Sequence, residues 1–137
     1  AARCGHAHAV ALLLNQGEVL TNSKDTSGMT ALQVAVYYGR AQVVDIMLEH
    51  PPVNVKILNR SGASLLQLAC QYGHRDIVIL LLNYSRFSIN ARDRTGEALL
   101  HKAAAQGLSR TVEVLLGSKE LDINLVNHQG QTALHNA

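Results

Sequence analysis

The 137 residues carry twelve Lys or Arg against ten Asp or Glu, a net charge of +2. There is no basic block, so the charge makes no case for nucleic acid. Hydrophobic residues form 47% of the chain, enough for a continuous core, yet the longest apolar runs, such as Ile77–Leu82, are far too short to insert directly into a membrane.

In chain order, residues 1–24 read as a partial unit. It has the end of an inner helix (Ala1–Cys4), a turn at Gly5 and an outer helix over Ala7–Asn15 closed by Gly17. Residues 25–58, 59–92 and 93–126 are complete units, and 127–137 opens a fifth that stops inside its inner helix. The third unit shows the pattern best. Leu65, Leu66, Leu68 and Ala69 keep helical spacing up to Gly73, and Ile77, Val78, Leu81 and Leu82 resume it. Each helix is under three turns, too short to hold its shape alone in water.

The units are copies. Gly28, Gly62, Gly96 and Gly130 recur every 34 residues, as do Gly5, Gly39, Gly73 and Gly107, Leu32, Leu66, Leu100 and Leu134, and Ala35, Ala69, Ala103 and Ala137. Four columns in step imply an all-α repeat solenoid, a single array in which each unit packs on its neighbours. No outer helix follows to cover Leu134, so the chain reads as an excerpt of a longer protein.

Each unit opens on Asp or Asn with Gly three residues later: Asp25 and Gly28, Asn59 and Gly62, Asp93 and Gly96, Asn127 and Gly130. The Asx side chain can bond nearby amides while Gly takes a positive φ, which is turn chemistry. Short extended pieces (Val55-Lys56, Ile89-Asn90, Ile123-Asn124) precede it and predict a hairpin-like finger. Thr30, Ser64 and Thr132 stand where a hydroxyl caps the inner helix, whereas Ala98 predicts a weaker start in the fourth unit. Cys4 and Cys70 lie two units apart, roughly 16–20 Å at normal helix spacing, too far for a disulfide. That fits a reducing intracellular, cytoplasmic setting, with the nucleus left open.

Asp-x-x-Gly-x-Thr-Ala-Leu-Gln-x-Ala at 25–35, Gly-His-x-x-Ile-Val at 73–78 and Gly-Gln-Thr-Ala-Leu-His at 130–135 resemble the ankyrin repeat, essentially throughout the chain. The resemblance implies an ankyrin-repeat stack of helix-turn-helix units with short β-hairpin fingers. It departs from the family where Ala31, Leu65, Leu99 and Ala133 replace the Pro that follows the capping Thr. Pro51, Ser85 and Lys119 likewise replace the Gly after the outer helix.

Seven His residues raise the question of metal or catalysis. The resemblance makes His101 and His135 members of a structural column that bonds the neighbouring finger. Gln33 and Gln67 fill the same column, which suits hydrogen bonding and not ligation. His74 and His6 follow the turn Gly in a solvent-facing place. Cys4, His6 and His8 lack a fourth ligand nearby. No nucleophile motif and no phosphate loop occurs, so no enzyme, cofactor, metal or small-molecule substrate is expected. Leu116 through Asn124 resembles the pattern on which ankyrin fingers are hydroxylated, but Asn22 and Asn90 mark that column as chiefly structural.

The resemblance also implies a concave partner face of finger tips and inner-helix edges. Its finger positions include Met29, Arg60, Arg94, Glu97 and His128. Its inner-helix positions include Tyr37, Tyr38, Gln71, Tyr72 and Gln106, and Tyr84, with His50 and Ser118, can extend the surface from the outer-helix ends. Tyr and Arg dominate binding hot spots. The expected function is a non-catalytic protein–protein interaction scaffold for a protein or peptide partner, which can be intramolecular. The alternative is a regulatory or targeting arm of a larger enzyme or membrane channel.

Overall fold

The structure, a computed structural model, describes residues 1–16, 21–84 and 87–137. Gly17 and Ser85, read above as positions after outer helices, lie outside the described residues. Among the described residues there are eight helices: α1 (Ala7–Leu14), α2 (Ala31–Tyr37), α3 (Ala41–Leu48), α4 (Leu65–Gln71), α5 (Arg75–Asn83), α6 (Leu99–Ala105), α7 (Ser109–Leu116) and α8 (Ala133–Asn136). Inner helices α2, α4, α6 and α8 pack in sequence, outer helices α1, α3, α5 and α7 do the same, and each complete pair packs on itself. This is the nearest-neighbour arrangement that the periodicity requires.

The apolar stripes meet between the two layers. Leu66, Ala69 and Cys70 of α4, Ile77 and Leu81 of α5, and Leu99 and Ala103 of α6 are all but inaccessible. Cys4 is exposed and Cys70 buried, both free thiols, and burial pushes the Cys70 thiol up to about 12. At the last unit Leu134 is 85% exposed, as expected of an inner helix with no outer helix against it.

Caps explain where the inner helices begin. Thr30 and Ser64 accept from the amides of Gln33 and Gln67, whose side chains accept in return from the amides of Thr30 and Ser64. Ala98 has no hydroxyl, yet α6 is as long as α2 and α4. His101 Nδ1 accepts the Ala98 amide at 3.2 Å and retains half of the box. At Thr132 the hydroxyl makes no bond to the helix backbone, and His135 Nδ1 takes the amide instead. Ala1–Cys4 form turns rather than helix, but the amides of Gly5 and His6 bond Ala2 and Ala1 carbonyls, the same ending seen after α2 at Gly39 and Arg40.

The four fingers share one turn. In each, the Asx amide donates to the carbonyl four residues on, and its Oδ1 accepts two amides of the same turn, as Asp93 does from Thr95 and Glu97. They differ in that, among the described residues, two close with a β-bridge, Lys24 to Thr30 and Arg92 to Ala98. The pieces expected to be extended before the fingers carry no strand. Side chains join the units there instead. Asn90 donates to the Glu120 carbonyl at 2.6 Å and accepts the Asp122 amide at 2.9 Å, and Asn22 makes the same pair with Pro52 and Asn54. That establishes the structural role of the Asn column.

Candidate functional site

The Asx turns and the helix caps set the same side-chain positions at the same height in successive units. Along the inner-helix edge this builds a continuous cluster. The Tyr37 ring lies 5.0 Å from Tyr38, edge-on, and 4.5 Å from Tyr72 of the next unit, while the Arg3 guanidinium sits 5.1 Å above Tyr38. Tyr38 and Tyr72 occupy one column, and Tyr37 fills the gap between them. Each of the three rings remains 36–43% exposed, so an apolar ledge is left for contact. Burial first, and then the adjacent Tyr37, hold the Tyr72 phenol above its ordinary value. Gln71 and Gln106 are exposed further along the same edge.

Two side chains beyond the ledge tie its backbone. Arg40 Nε donates to the Arg3 carbonyl at 3.0 Å, and His74 Nε2 donates to the Tyr37 carbonyl at 2.9 Å. His74 is therefore not the free solvent-facing residue expected above; it clamps the preceding turn. A β-carbon on Gly39 would lie 2.7 Å from the His74 ring, so the clamp needs glycine there.

The finger column behaves alike. Arg60, Arg94 and His128 are exposed and fold back over Gly28, Gly62 and Gly96 of the preceding finger. At Gly62 a β-carbon would stand 2.7 Å from Arg94 Cγ, and the Arg94 amide donates to Ser61 O at 3.1 Å. These side chains are thus held along the finger row and remain exposed.

Other expected positions are engaged elsewhere. Met29 is half-buried in an apolar cleft with Leu14, Val34 and Met47. Glu97 accepts from Lys102 at 3.4 Å and from Asn136 at 3.3 Å, while Lys102 pairs with nearly buried Asp93 at 2.8 Å. Tyr84 packs half-buried against the core, where burial, then Asp45 of α3 and its C-cap Glu49, raise its phenol. It belongs to the outer layer and shares no ring contact with the other tyrosines among the described residues.

Arg3 and Lys102 escaped the sequence reading, although each left a signal. Arg3 stands one repeat before Tyr37 in the same column. Lys102 follows Val34 and Leu68 in a column that turns polar there and stays so at Asn136. The Gln/His column does what its chemistry suggested. Gln67 Nε2 donates to Ala91 O at 3.2 Å and Glu97 O at 2.7 Å, and His101 Nε2 donates to Gln131 O at 2.9 Å.

Among the described residues, no group of three His, Cys, Asp or Glu is placed to hold a metal, and no helix is long and apolar enough to cross a membrane. Compared with protein families, residues 12–69 match the description "Ankyrin repeats (many copies)" and residues 61–94 match "Ankyrin repeat". No curated protein matches the chain.

Proposed function

We propose, from the premise that this chain belongs to the ankyrin repeat family, that it is a non-catalytic scaffold holding a protein or peptide on its finger and inner-helix face. Ankyrin repeats generally mediate protein–protein interactions. The observation that carries the reading is the ledge of Arg3, Tyr38, Tyr37 and Tyr72, which spans three units and leaves three rings partly open. Rings already packed on one another lose little freedom when a partner covers them, so burial there converts efficiently into affinity. The array divides at Asp25, Asn59, Asp93 and Asn127 into units 1–24, 25–58, 59–92, 93–126 and 127–137, the last four each opened by the same Asx turn.

The test is peptide selection against the 137-residue chain, followed by titration of the selected peptides. Tyr72→Ala weakens them by about 1–2 kcal/mol or more, and Tyr38→Ala/Tyr72→Ala weakens them further. Arg75→Ala and Glu113→Ala, on the exposed faces of α5 and α7, leave affinity unchanged. Losses at Arg75 and Glu113 without one at Tyr72 would put the partner on the outer helices and end this reading.

A further inference from the structure

The net charge of +2 conceals a strongly sided distribution. The finger and inner-helix segments carry six cations, of which Arg3, Lys24, Arg60, Arg92 and Arg94 are exposed. They carry three acids, all engaged. Asp93 and Glu97 share Lys102, and Asp25 Oδ1 takes the Ser27 hydroxyl with the amides of Ser27 and Met29. The outer helices and their caps lean the other way: Asp45, Glu49, Asp76 and Glu113 against Arg40, Arg75 and Arg110, all exposed. One face therefore holds a surplus of three positive charges, and the opposite layer a surplus of one negative charge, among the described residues.

The cations are also in columns. Arg60 and Arg94 stand one unit apart in the finger row, and Lys24 and Arg92 two units apart at the finger base. Helix stacking sets those intervals at about 10 Å and about 20 Å. Arg3 lies over Tyr38 of the tyrosine ledge, so cationic and apolar surface meet on this inner layer. Such a combination attracts an oppositely charged chain and rejects a basic one.

Resting on the concave-face reading, we propose that the partner is an acidic segment with one apolar anchor. The anchor seats on Tyr37, Tyr38 and Tyr72, and carboxylates face Arg60 and Arg94 with Lys24 and Arg92. A polyproline-type chain repeats the same face every three residues, about 9.3 Å, which matches one unit of the stack. An acidic residue at every third place therefore suits the cation row.

The experiment uses a fluorescent 15-residue peptide, about 45 Å if extended, with a central Phe and Glu at every third position. Its Lys analogue is the control, and binding to the whole chain is read by anisotropy. The acidic peptide binds and the Lys peptide does not. Arg60→Glu/Arg94→Glu weakens binding roughly tenfold in about 0.1 M salt, and the difference contracts to less than about threefold near 1 M. Arg60→Gln/Arg94→Gln gives a smaller loss in the same direction, and circular dichroism verifies that both variants keep their helices. Arg75→Glu/Arg110→Glu leaves binding unchanged. Equal losses from the outer-helix pair, equal binding of the Lys peptide, or no binding of the acidic one would overturn the proposal. So would competition by duplex DNA or phosphatidylserine vesicles that ignores removal of the Phe, which would mean generic polyanion capture. Concentration-dependent dimerisation that displaces the peptide would assign the face to a second copy. Sensitivity to Tyr72→Ala with none to the Arg variants would retain the concave face and reject the acidic partner. Sensitivity to neither would reject both.

Discussion

Replacing Gln67 separates hydrogen bonding from packing at the centre of the stack. The side chain is 2% exposed, with Oε1 accepting the Ser64 amide at 3.0 Å and Nε2 donating to the carbonyls of Ala91 and Glu97. Leucine is close to glutamine in size, so Gln67→Leu leaves no large cavity and removes only polar partners. Three backbone groups lose a bond, each worth about 1–3 kcal/mol when water cannot replace it. Ala91 and Glu97 are half-buried, so water reaches their carbonyls in part, and the expected cost is about 2–4 kcal/mol in all. Gln67→His should behave differently. At the equivalent place His101 accepts one amide through Nδ1 and bonds the next finger through Nε2, retaining two of the three partners. The histidine variant is expected within about 1 kcal/mol of the parent. Urea unfolding followed by far-UV circular dichroism measures both, with an unchanged m-value showing that the unfolded state is not responsible. A leucine variant as stable as the histidine one would refute the column's hydrogen-bonding role.

Leu81, fully buried in α5 between α3 and α7, should cost about 2–5 kcal/mol on change to Ala, and a loss below ~1 kcal/mol in denaturation would mean that its packing is misread. Burial alone would raise the Asp93 carboxyl, but Lys102, Thr95 and the Glu97 amide outweigh it and hold it below 3.8. Its folded value being depressed, its contribution is present above the unfolded value of 3.8 and lost as pH falls through the lower folded one. Asp93→Asn should therefore flatten that part of the acid limb while keeping the turn, as Asn59 does, and an unchanged acid limb would deny the shift. Amide exchange should be slowest over Leu65–Leu82 and fast at Ala1–Gly5 and Asn127–Ala137, because interior units have neighbours on both sides; uniform protection would contradict the stacked energetics.

The architecture was legible in the sequence because every unit repeats the same local code. Asx turn, capping hydroxyl, apolar stripe and turn glycine all act within a few residues, and each appears where its spacing predicts except the cap at Thr132, where His135 takes the amide instead. Expectations failed where a bond crosses from one unit to the next. His74 looked like a solvent-facing residue because its partner, the Tyr37 carbonyl, lies 37 residues away. Ala98 predicted a weak helix start because the compensating Nδ1 belongs to a residue already assigned to inter-finger bonding.

The sequence by itself determined the period, the helix pairs and the columns from which a partner face is assembled. Those depend on local backbone preferences and on apolar spacing, which are written in consecutive residues. Only the tertiary structure decided which members of each column remain available. Tyr37 closes the space between Tyr38 and Tyr72, Arg3 covers Tyr38, Glu97 is taken by Lys102 and Asn136, and Tyr84 turns to the outer layer. A column gives every side chain in it the same starting point. Where each one ends depends on the length, charge and volume of neighbours contributed by the adjoining units, and those neighbours meet only after the units have stacked.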